Sequence, residues 1–134
     1  MALTNSSELP DSTAYGFAQT GIVPGGTILV YIAGQGSGTT GPGNTYPDSF
    51  SEQMEQAFRN LKKALTAVGA IPDDVVKITI LSVDHTDEKL QLISAARRAF
   101  WPNKKPASTL IPVPRLASTG MLFEIDAVAV IPNP

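Results

Sequence analysis

The chain has 134 residues, of which 43% are hydrophobic and 16% are charged. This length and composition fit one globular domain over residues 1–134 and leave little room for a second. There is no cysteine and a single histidine, His85, so a disulfide framework and a cysteine nucleophile are excluded. Too few soft ligands remain for a tight transition-metal site, and we expect no metal.

The formal net charge of -2 and the absence of a basic run make nucleic acid an unlikely main partner. No run of about 18 apolar residues is present, so no membrane span is expected. The first residues lack a basic segment followed by an apolar one, which predicts no signal peptide. The expected location is the cytoplasm.

The N-terminal third of the chain predicts two strands after a polar start. Residues 1–14 are polar and predict a loose segment, and Tyr15–Thr20 predicts a short strand. Thr27–Ala33 is a nearly continuous run of β-branched and apolar residues, which is typical of a strand covered on both faces. The glycine-rich stretch Gly34–Pro47 predicts a long loop, and either a mobile surface loop or a pocket wall would fit it.

Two helices are predicted further along the chain. Ser49 and Glu52 form a capping box for the first helix, and Gly69 provides its stop. Thr86 can cap the second helix, and Pro102 ends it. Apolar residues recur at helical spacing in both segments: Phe50, Met54, Ala57, Phe58, Leu61, Ala64, Leu65 and Val68 in the first, and Leu90, Ile93, Ala96 and Phe100 in the second.

The remaining apolar runs predict three more strands: Val75–Val83, Ala107–Val113 and Leu122–Ile131. The predicted order is therefore β-β-α-β-α-β-β, an α+β arrangement. Two amphipathic helices can cover only one face of such a sheet. Because Thr27–Ala33 is apolar on both faces, we expect a second copy of the chain to cover the other face.

The element order and several segments resemble the YjgF-type, or Rid (reactive intermediate deaminase), superfamily. The segments that carry the resemblance run from about Tyr15 to Val130: Gly16-Phe17-Ala18-Gln19, Ile32-Ala33-Gly34-Gln35, Val68-Gly69-Ala70, Asp74-Val75-Val76-Lys77-Ile78-Thr79, Pro106-Ala107, Val113-Pro114-Arg115-Leu116 and Phe123-Glu124-Ile125-Asp126-Ala127-Val128-Ala129. The resemblance implies a chorismate-mutase-like fold with two helices on one face of the sheet. It also implies a homotrimer in which three sheets close a barrel.

The resemblance also implies an activity. Deaminating members of this superfamily hydrolyse small enamines and imines in a cleft between subunits, without a metal or cofactor. Their signature strand has an arginine directly after Pro-Ala, and that arginine holds the carboxylate of the substrate with two hydrogen bonds. This sequence has Ser108 at that position. A serine can donate one hydrogen bond but carries no charge.

Other site positions of the superfamily match altered residues here. Its tyrosine matches Phe17, its serine matches Ala33, and its frequent cysteine matches Leu110. Gly34 and Glu124 keep the pattern. The resemblance therefore implies substrate-binding positions at Phe17, Ala33, Gly34, Ser108 and Leu110 in a more apolar cleft, and a catalytic role for Glu124.

Three further residues have open alternatives. Asp126 lies two positions from Glu124 on the same strand face, and it either takes part in acid–base chemistry or pairs with a cation. Arg115 is either structural or supplies the charge that is missing at Ser108. Tyr46 carries a hydroxyl that could reach the cleft.

The function we expect is hydrolysis or deamination of an imine- or enamine-like metabolite other than simple 2-aminoacrylate, in a cleft between subunits. The alternative is a non-catalytic trimer that binds a metabolite in the same cleft. A ribonuclease activity ranks third, because the sequence has neither a basic groove nor a pair of histidines. Whether the protein is an enzyme is left open by the sequence.

Overall fold

A computed structural model describes residues 1–38 and 45–134 and shows an α+β fold of two helices and a mixed four-stranded sheet. A separate pair of short strands lies near the N-terminus. The elements in chain order are β1 (Ala2–Thr4), β2 (Thr20–Ile22), β3 (Thr27–Gln35), α1 (Phe50–Ala67), β4 (Val75–Val83), α2 (Asp87–Phe100), β5 (Ala107–Val113) and β6 (Phe123–Pro132). The predicted fold class is confirmed.

The main sheet has the order β3-β6-β4-β5. Strands β4 and β5 are parallel neighbours joined through α2, as expected for two strands linked by a helical crossover. Strand β6 runs antiparallel to both β3 and β4. The edges of the sheet are therefore β3 on one side and β5 on the other.

Both helices begin where the sequence predicts. The Ser49 hydroxyl accepts a hydrogen bond from the backbone N–H of Glu52 at 3.3 Å, and the Thr86 hydroxyl accepts one from that of Lys89 at 3.2 Å. Gly69, directly beyond α1, has a φ of +74°, which favours glycine at that stop. In the part of the chain that the structure describes, no helix is long and apolar enough to cross a membrane.

The core lies between the two helices and one face of the sheet. Phe123, Ile125 and Ala127 alternate along β6 and point at the helices, with exposed fractions of 0%, 0% and 2%. Trp101 at the end of α2 is fully buried, and its indole N–H donates to the carbonyl of Pro72 at 2.8 Å. One face of the sheet is thus covered by helices, as predicted.

The other face of the sheet is open in the single chain. It exposes Leu29, Tyr31 and Ile111, whose exposed fractions are 44%, 76% and 43%. Within one subunit, the expectation that Thr27–Ala33 is covered on both faces is therefore met on the helix side only. An exposed apolar surface of this kind is typical of an interaction site.

The N-terminal predictions were wrong in two respects. Residues 1–14 are not a loose segment, because Ala2–Thr4 pairs antiparallel with Thr20–Ile22. The predicted strand Tyr15–Thr20 is replaced by a 3₁₀ turn over Thr13–Tyr15, followed by Gly16 at a φ of +80°. That left-handed glycine breaks the extended path, so only Ala18 makes a β-bridge to the edge strand β5.

The glycine-rich loop is described only at its two ends. Residues 39–44, six of the fourteen residues of the predicted loop Gly34–Pro47, lie outside the described residues. The start of the loop is tied to α1, because the Asn60 side-chain amide donates to the carbonyls of Gly36 and Gly38 at 2.8 and 2.7 Å. This part of the loop is therefore anchored to the helix layer.

Candidate functional site

The candidate site residues lie on opposite faces of the main sheet. Glu124 on β6 pairs with Leu81 of β4, while Ser108 on β5 pairs with Ile78 of β4. Leu81 and Ile78 are three positions apart on one strand, so their side chains leave opposite faces. Glu124 therefore lies on the open face and Ser108 on the helix face. A single site containing both would need a second subunit.

On the open face, Ala33, Gly34 and Glu124 form what we call the Glu124 cluster. Gly34 lies in the irregularity of the β3–β6 pairing between Ile32 and Gln35. A Cβ atom at Gly34 would stand 2.6 Å from Glu124 Cδ and would overlap Glu124 Oε1. Only glycine lets the carboxylate lie this close to the β3 backbone.

The second carboxylate of this face has a different environment. Asp126 accepts a hydrogen bond from the backbone N–H of Thr79 at 3.1 Å. Lys77 lies nearby, and its ammonium donates to the Thr109 hydroxyl at 2.6 Å. Burial lowers the pKa of Lys77, and the Asp126 carboxylate opposes that shift. Among the described residues the Glu124 carboxylate, unlike that of Asp126, has no hydrogen-bond partner.

On the helix face, Phe17, Ser94, Arg97 and Ser108 form what we call the Arg97 cluster. The Arg97 guanidinium donates to the Ser108 hydroxyl at 2.9 Å and to the Ser94 hydroxyl at 3.3 Å. The same group lies 5.2 Å from the ring centre of Phe17, within cation–π range. Arg97 is only 2% exposed.

The charge of Arg97 has no counter-charge in the part of the chain that the structure describes. Its polar contacts are to hydroxyls, and its Nε has no hydrogen-bond acceptor. Burial lowers the pKa of Arg97 to about 10, and the neighbouring charge of Arg98 adds to the effect. Arg97 therefore remains protonated at neutral pH.

The other predicted binding residues lie in three places. Leu110 follows Ser108 on the same face of β5 and packs, partly buried, against the core. Tyr46 lies beside Gly120, where a Cβ atom would stand 3.6 Å from the Tyr46 ring, and it lines a pocket of about 450 Å³. Arg115 donates to the carbonyls of its own loop, at 3.1 Å for Leu116.

Arg115 cannot reach Ser108 within the subunit. It follows the end of β5, and Val113 already lies about 16 Å from Ser108 at about 3.3 Å per residue. The nearest described guanidinium to Ser108 belongs to Arg97, which sequence reasoning missed. Its signal was available, because Ile93, Arg97 and Trp101 share one face of α2 at four-residue spacing. A cation on the apolar side of an amphipathic helix marks a special position.

His85 and the carboxylates do not gather into a metal site in residues 1–38 and 45–134, where no group of three potential ligands is found. The His85 ring nitrogen Nδ1 instead lies 2.9 Å from the Ser82 hydroxyl. The site chemistry described below therefore rests on side chains of the Glu124 and Arg97 clusters.

The family model described as Endoribonuclease L-PSP matches residues 11–131. The chain therefore belongs to this family, which is the YjgF or Rid superfamily. The resemblance noted in the sequence is thereby confirmed.

Individual relatives agree with this assignment. The chain is 32% identical over 105 residues to the RutC family protein YjgH of Escherichia coli, covering 78% of this chain and 77% of that protein. It is 30% identical over 101 residues to the 2-iminobutanoate/2-iminopropanoate deaminase of Rattus norvegicus, covering 75% and 72%. Among solved structures, the Rid-family protein YyfB of Yersinia pestis matches with a TM-score of 0.89 and 29% identity, over 97% of this chain and 98% of that one.

Proposed function

We propose that the protein is a cofactor-independent hydrolase of imine- or enamine-like metabolites, acting in the clefts of a homotrimer. The observation that carries the proposal is the Glu124 carboxylate, which lies against Gly34 without a hydrogen-bond partner among the described residues. A carboxylate in this condition is suited to proton transfer. The rat relative named as an imine deaminase supports the reaction class.

The trimer is supported by two features of the single subunit. The open face exposes large apolar side chains, above all Tyr31 at 76% and Leu29 at 44%. The Glu124 and Arg97 clusters also lie on opposite faces of the sheet. Only another copy of the chain can bring an Arg97 cluster opposite a Glu124 cluster, so each cleft would join two subunits.

The proposed reaction needs only water and one proton relay. Water adds to the imine carbon as the Glu124 carboxylate accepts its proton, forming a C–O bond and a carbinolamine. Glu124 then returns that proton to the nitrogen, which gives a neutral carbinolamine. In the second step the carboxylate takes the hydroxyl proton as the C=O bond forms and delivers it to the amino nitrogen as the C–N bond breaks, so that a carbonyl compound and ammonia leave. The carboxylate ends in its starting form. An enamine substrate would first take a proton at carbon and lose one from nitrogen to become the imine.

Ser108 sets the expected substrate range. A strand arginine would hold a substrate carboxylate with two charge-assisted hydrogen bonds, whereas the Ser108 hydroxyl can donate one. We therefore propose substrates other than simple 2-aminoacrylate, because that molecule is small and offers little surface for contacts besides its carboxylate. Phe17 and Leu110 favour a substrate with an apolar part.

Turnover is tested with imines that an amino-acid oxidase releases from a panel of amino acids, by following carbonyl formation with and without the protein. Glu124→Gln should lower the rate by about 100-fold or more, the range of general acid–base catalysis. Asp126→Asn is the matched control, since it removes a carboxylate two positions along the same strand face. Equal losses in both variants, or no loss in Glu124→Gln, would refute the role of Glu124.

The assembly is tested by sedimentation. Tyr31→Asp places a charge on the open face and should convert the trimer to monomers, because an unpaired charge in an apolar interface is costly. Leu92→Asp is the control, since Leu92 is also a large exposed apolar residue, at 41%, but lies on α2. A wild type that sediments as a monomer would rule out the trimer.

A second candidate function is a non-catalytic trimer that binds a metabolite in the same cleft. The observation that favours it is that Phe17 and Ala33 lack the hydroxyls of the superfamily pattern and that Ser108 lacks the charge of its arginine. A small molecule that raises the melting temperature while no imine in the panel is turned over would favour this candidate.

A further inference from the structure

The Arg97 cluster holds a buried cation that the subunit itself does not neutralise. Arg97 is 2% exposed, and in the described residues its guanidinium contacts hydroxyls and an aromatic ring but no carboxylate. Residues 39–44, which the structure does not describe, contain no acidic residue. An uncompensated buried charge is unfavourable, so a fold retains one where an anion arrives from outside.

The contacts of Arg97 define where that anion can bind. The Ser94 hydroxyl and the Phe17 ring occupy two sides of the guanidinium. The remaining contact is the Ser108 hydroxyl, and Ser108 is only half-buried. Phe17 is half-buried as well, and Ser108 is the one of the two that can donate a hydrogen bond to a ligand beside β5.

The hydrogen bond from Arg97 also orients Ser108. The serine oxygen accepts a proton from the guanidinium at 2.9 Å, so its own O–H is free to donate to a ligand. A hydroxyl that accepts a charge-assisted bond becomes a better donor, because bonds in a chain polarise one another. The positive charge behind the hydroxyl favours an acceptor that carries negative charge.

From this geometry we infer that Arg97 determines the ligand specificity of the proposed cleft, by giving Ser108 a preference for a small monoanionic group such as a carboxylate. The inference rests on the proposed function, because it assumes that the cleft includes Ser108. Arg97 is a positioning residue, since Ser108 and not Arg97 touches the ligand. Arg97 thereby supplies the positive charge of the missing strand arginine, but it does not supply that arginine's two direct hydrogen bonds to the ligand.

The test compares two ligands that differ only in charge, 2-oxobutanoate and its neutral amide, 2-oxobutanamide. Both resemble the carbonyl product of imine hydrolysis and bind without turnover. The wild-type protein should bind the anion about tenfold more tightly than the amide, which is the worth of about one charge-assisted hydrogen bond. Binding is measured by calorimetry at low salt.

Variants then separate the contributions of Arg97 and Ser108. Arg97→Met should abolish the preference for the anion, because it weakens anion binding far more than amide binding, and Arg97→Lys should restore part of it. Ser108→Ala keeps the charge but removes the hydroxyl, and it should also lose the preference. Lys63→Met is the control, because it removes an exposed cation from the other helix, α1, and should keep the wild-type ratio.

Each outcome bears on the inference. A wild type that binds neither ligand at millimolar concentration, or binds both equally, overturns it. So does Arg97→Met with the wild-type ratio. If Arg97→Met does not fold, Ser108→Ala decides, and retention of the preference there overturns the proposed route. If the protein prefers the anion but turns over no imine, the inference stands and the hydrolase proposal is refuted. If it turns over imines but its anion preference does not depend on Arg97, the hydrolase proposal stands and the inference is refuted.

Discussion

The Glu124 cluster and the Arg97 cluster carry opposite charges and differ in their exposure to water. The Glu124 carboxylate is half-exposed and lies against a glycine backbone, whereas the Arg97 guanidinium is 2% exposed and held by two hydroxyls. The half-exposed carboxylate is open to water and to a ligand on its face, whereas the buried guanidinium acts at neutral pH through its positive field. The comparison teaches that, in the proposed function, proton transfer and ligand recognition would lie on the two opposite faces of one sheet.

The largest expected effect comes from closing the space beside Glu124. Gly34→Ala puts a Cβ atom on the Glu124 carboxylate, which must then move from the β3 backbone. We expect the rate of imine hydrolysis to fall about 100-fold, as for a misplaced catalytic group. Gly38→Ala, three residues beyond the end of β3, is the control, since nothing lies within 4 Å of its added Cβ atom. An active Gly34→Ala variant would show that the position of Glu124 does not matter.

Mixing two inactive variants tests whether the clusters cooperate across subunits. Glu124→Gln inactivates the Glu124 cluster, and Ser108→Glu blocks the Arg97 cluster with a carboxylate beside Arg97. In trimers reassembled at equal ratio, one cleft in each mixed trimer would combine two intact clusters, which predicts about a quarter of wild-type activity. No recovery in reassembled mixed trimers would mean that both clusters serve the same subunit's site.

Stability should distinguish Arg97 from a structural arginine. Arg97→Met replaces an unpaired buried cation by an apolar chain of similar length, and we expect the free energy of unfolding to be unchanged or to rise by about 1 kcal/mol. Leu61→Ala, at a fully buried apolar position, should instead lose about 2–5 kcal/mol. Urea unfolding measures both. A loss above about 2 kcal/mol in Arg97→Met would assign Arg97 to the scaffold.

The smallest expected effect is a pH dependence of the difference in free energy of unfolding between the wild type and Arg97→Met. Burial lowers the pKa of Arg97 to about 10, below that of an arginine in the unfolded chain, so between these two pKa values the unfolded chain holds a proton that the folded chain has released. Stability of the wild type therefore rises with pH in this range relative to Arg97→Met, by at most about 1.4 kcal/mol per pH unit. Below about pH 10 the stability difference between the two proteins should not change with pH. A gap that is the same at about pH 8 and about pH 11 would contradict this sign.

The sequence predicted the helices and the strands of the main sheet well, because their signals are local. Ser49, Thr86 and Gly69 mark the ends of segments whose apolar spacing fixes the face they bury. The N-terminal strands were missed, since Ala2–Thr4 is stabilised only by pairing with Thr20–Ile22. A strand of three residues has no period of its own to detect.

The candidate site was predictable in part. The resemblance identified Gly34 and Glu124. The structure adds that the Glu124 carboxylate occupies the space that a Cβ atom at position 34 would fill. Arg97 was missed because an amphipathic stripe is assigned by its apolar members, so a cation within the stripe is passed over. Its contact with Ser108 joins an α2 residue to a β5 residue, and no spacing rule along the chain predicts that meeting.

The attachment of the N-terminal segment to α2 and β5 has a consequence for synthesis of the chain. Arg98 donates to the carbonyl of Ala14, which lies 84 residues earlier, and Ala18 forms its bridge with Ala107. Phe17 therefore leaves the ribosome long before the partners that hold it in place. Such non-local contacts form late in folding, so the Arg97 cluster is completed only after β5 has been made.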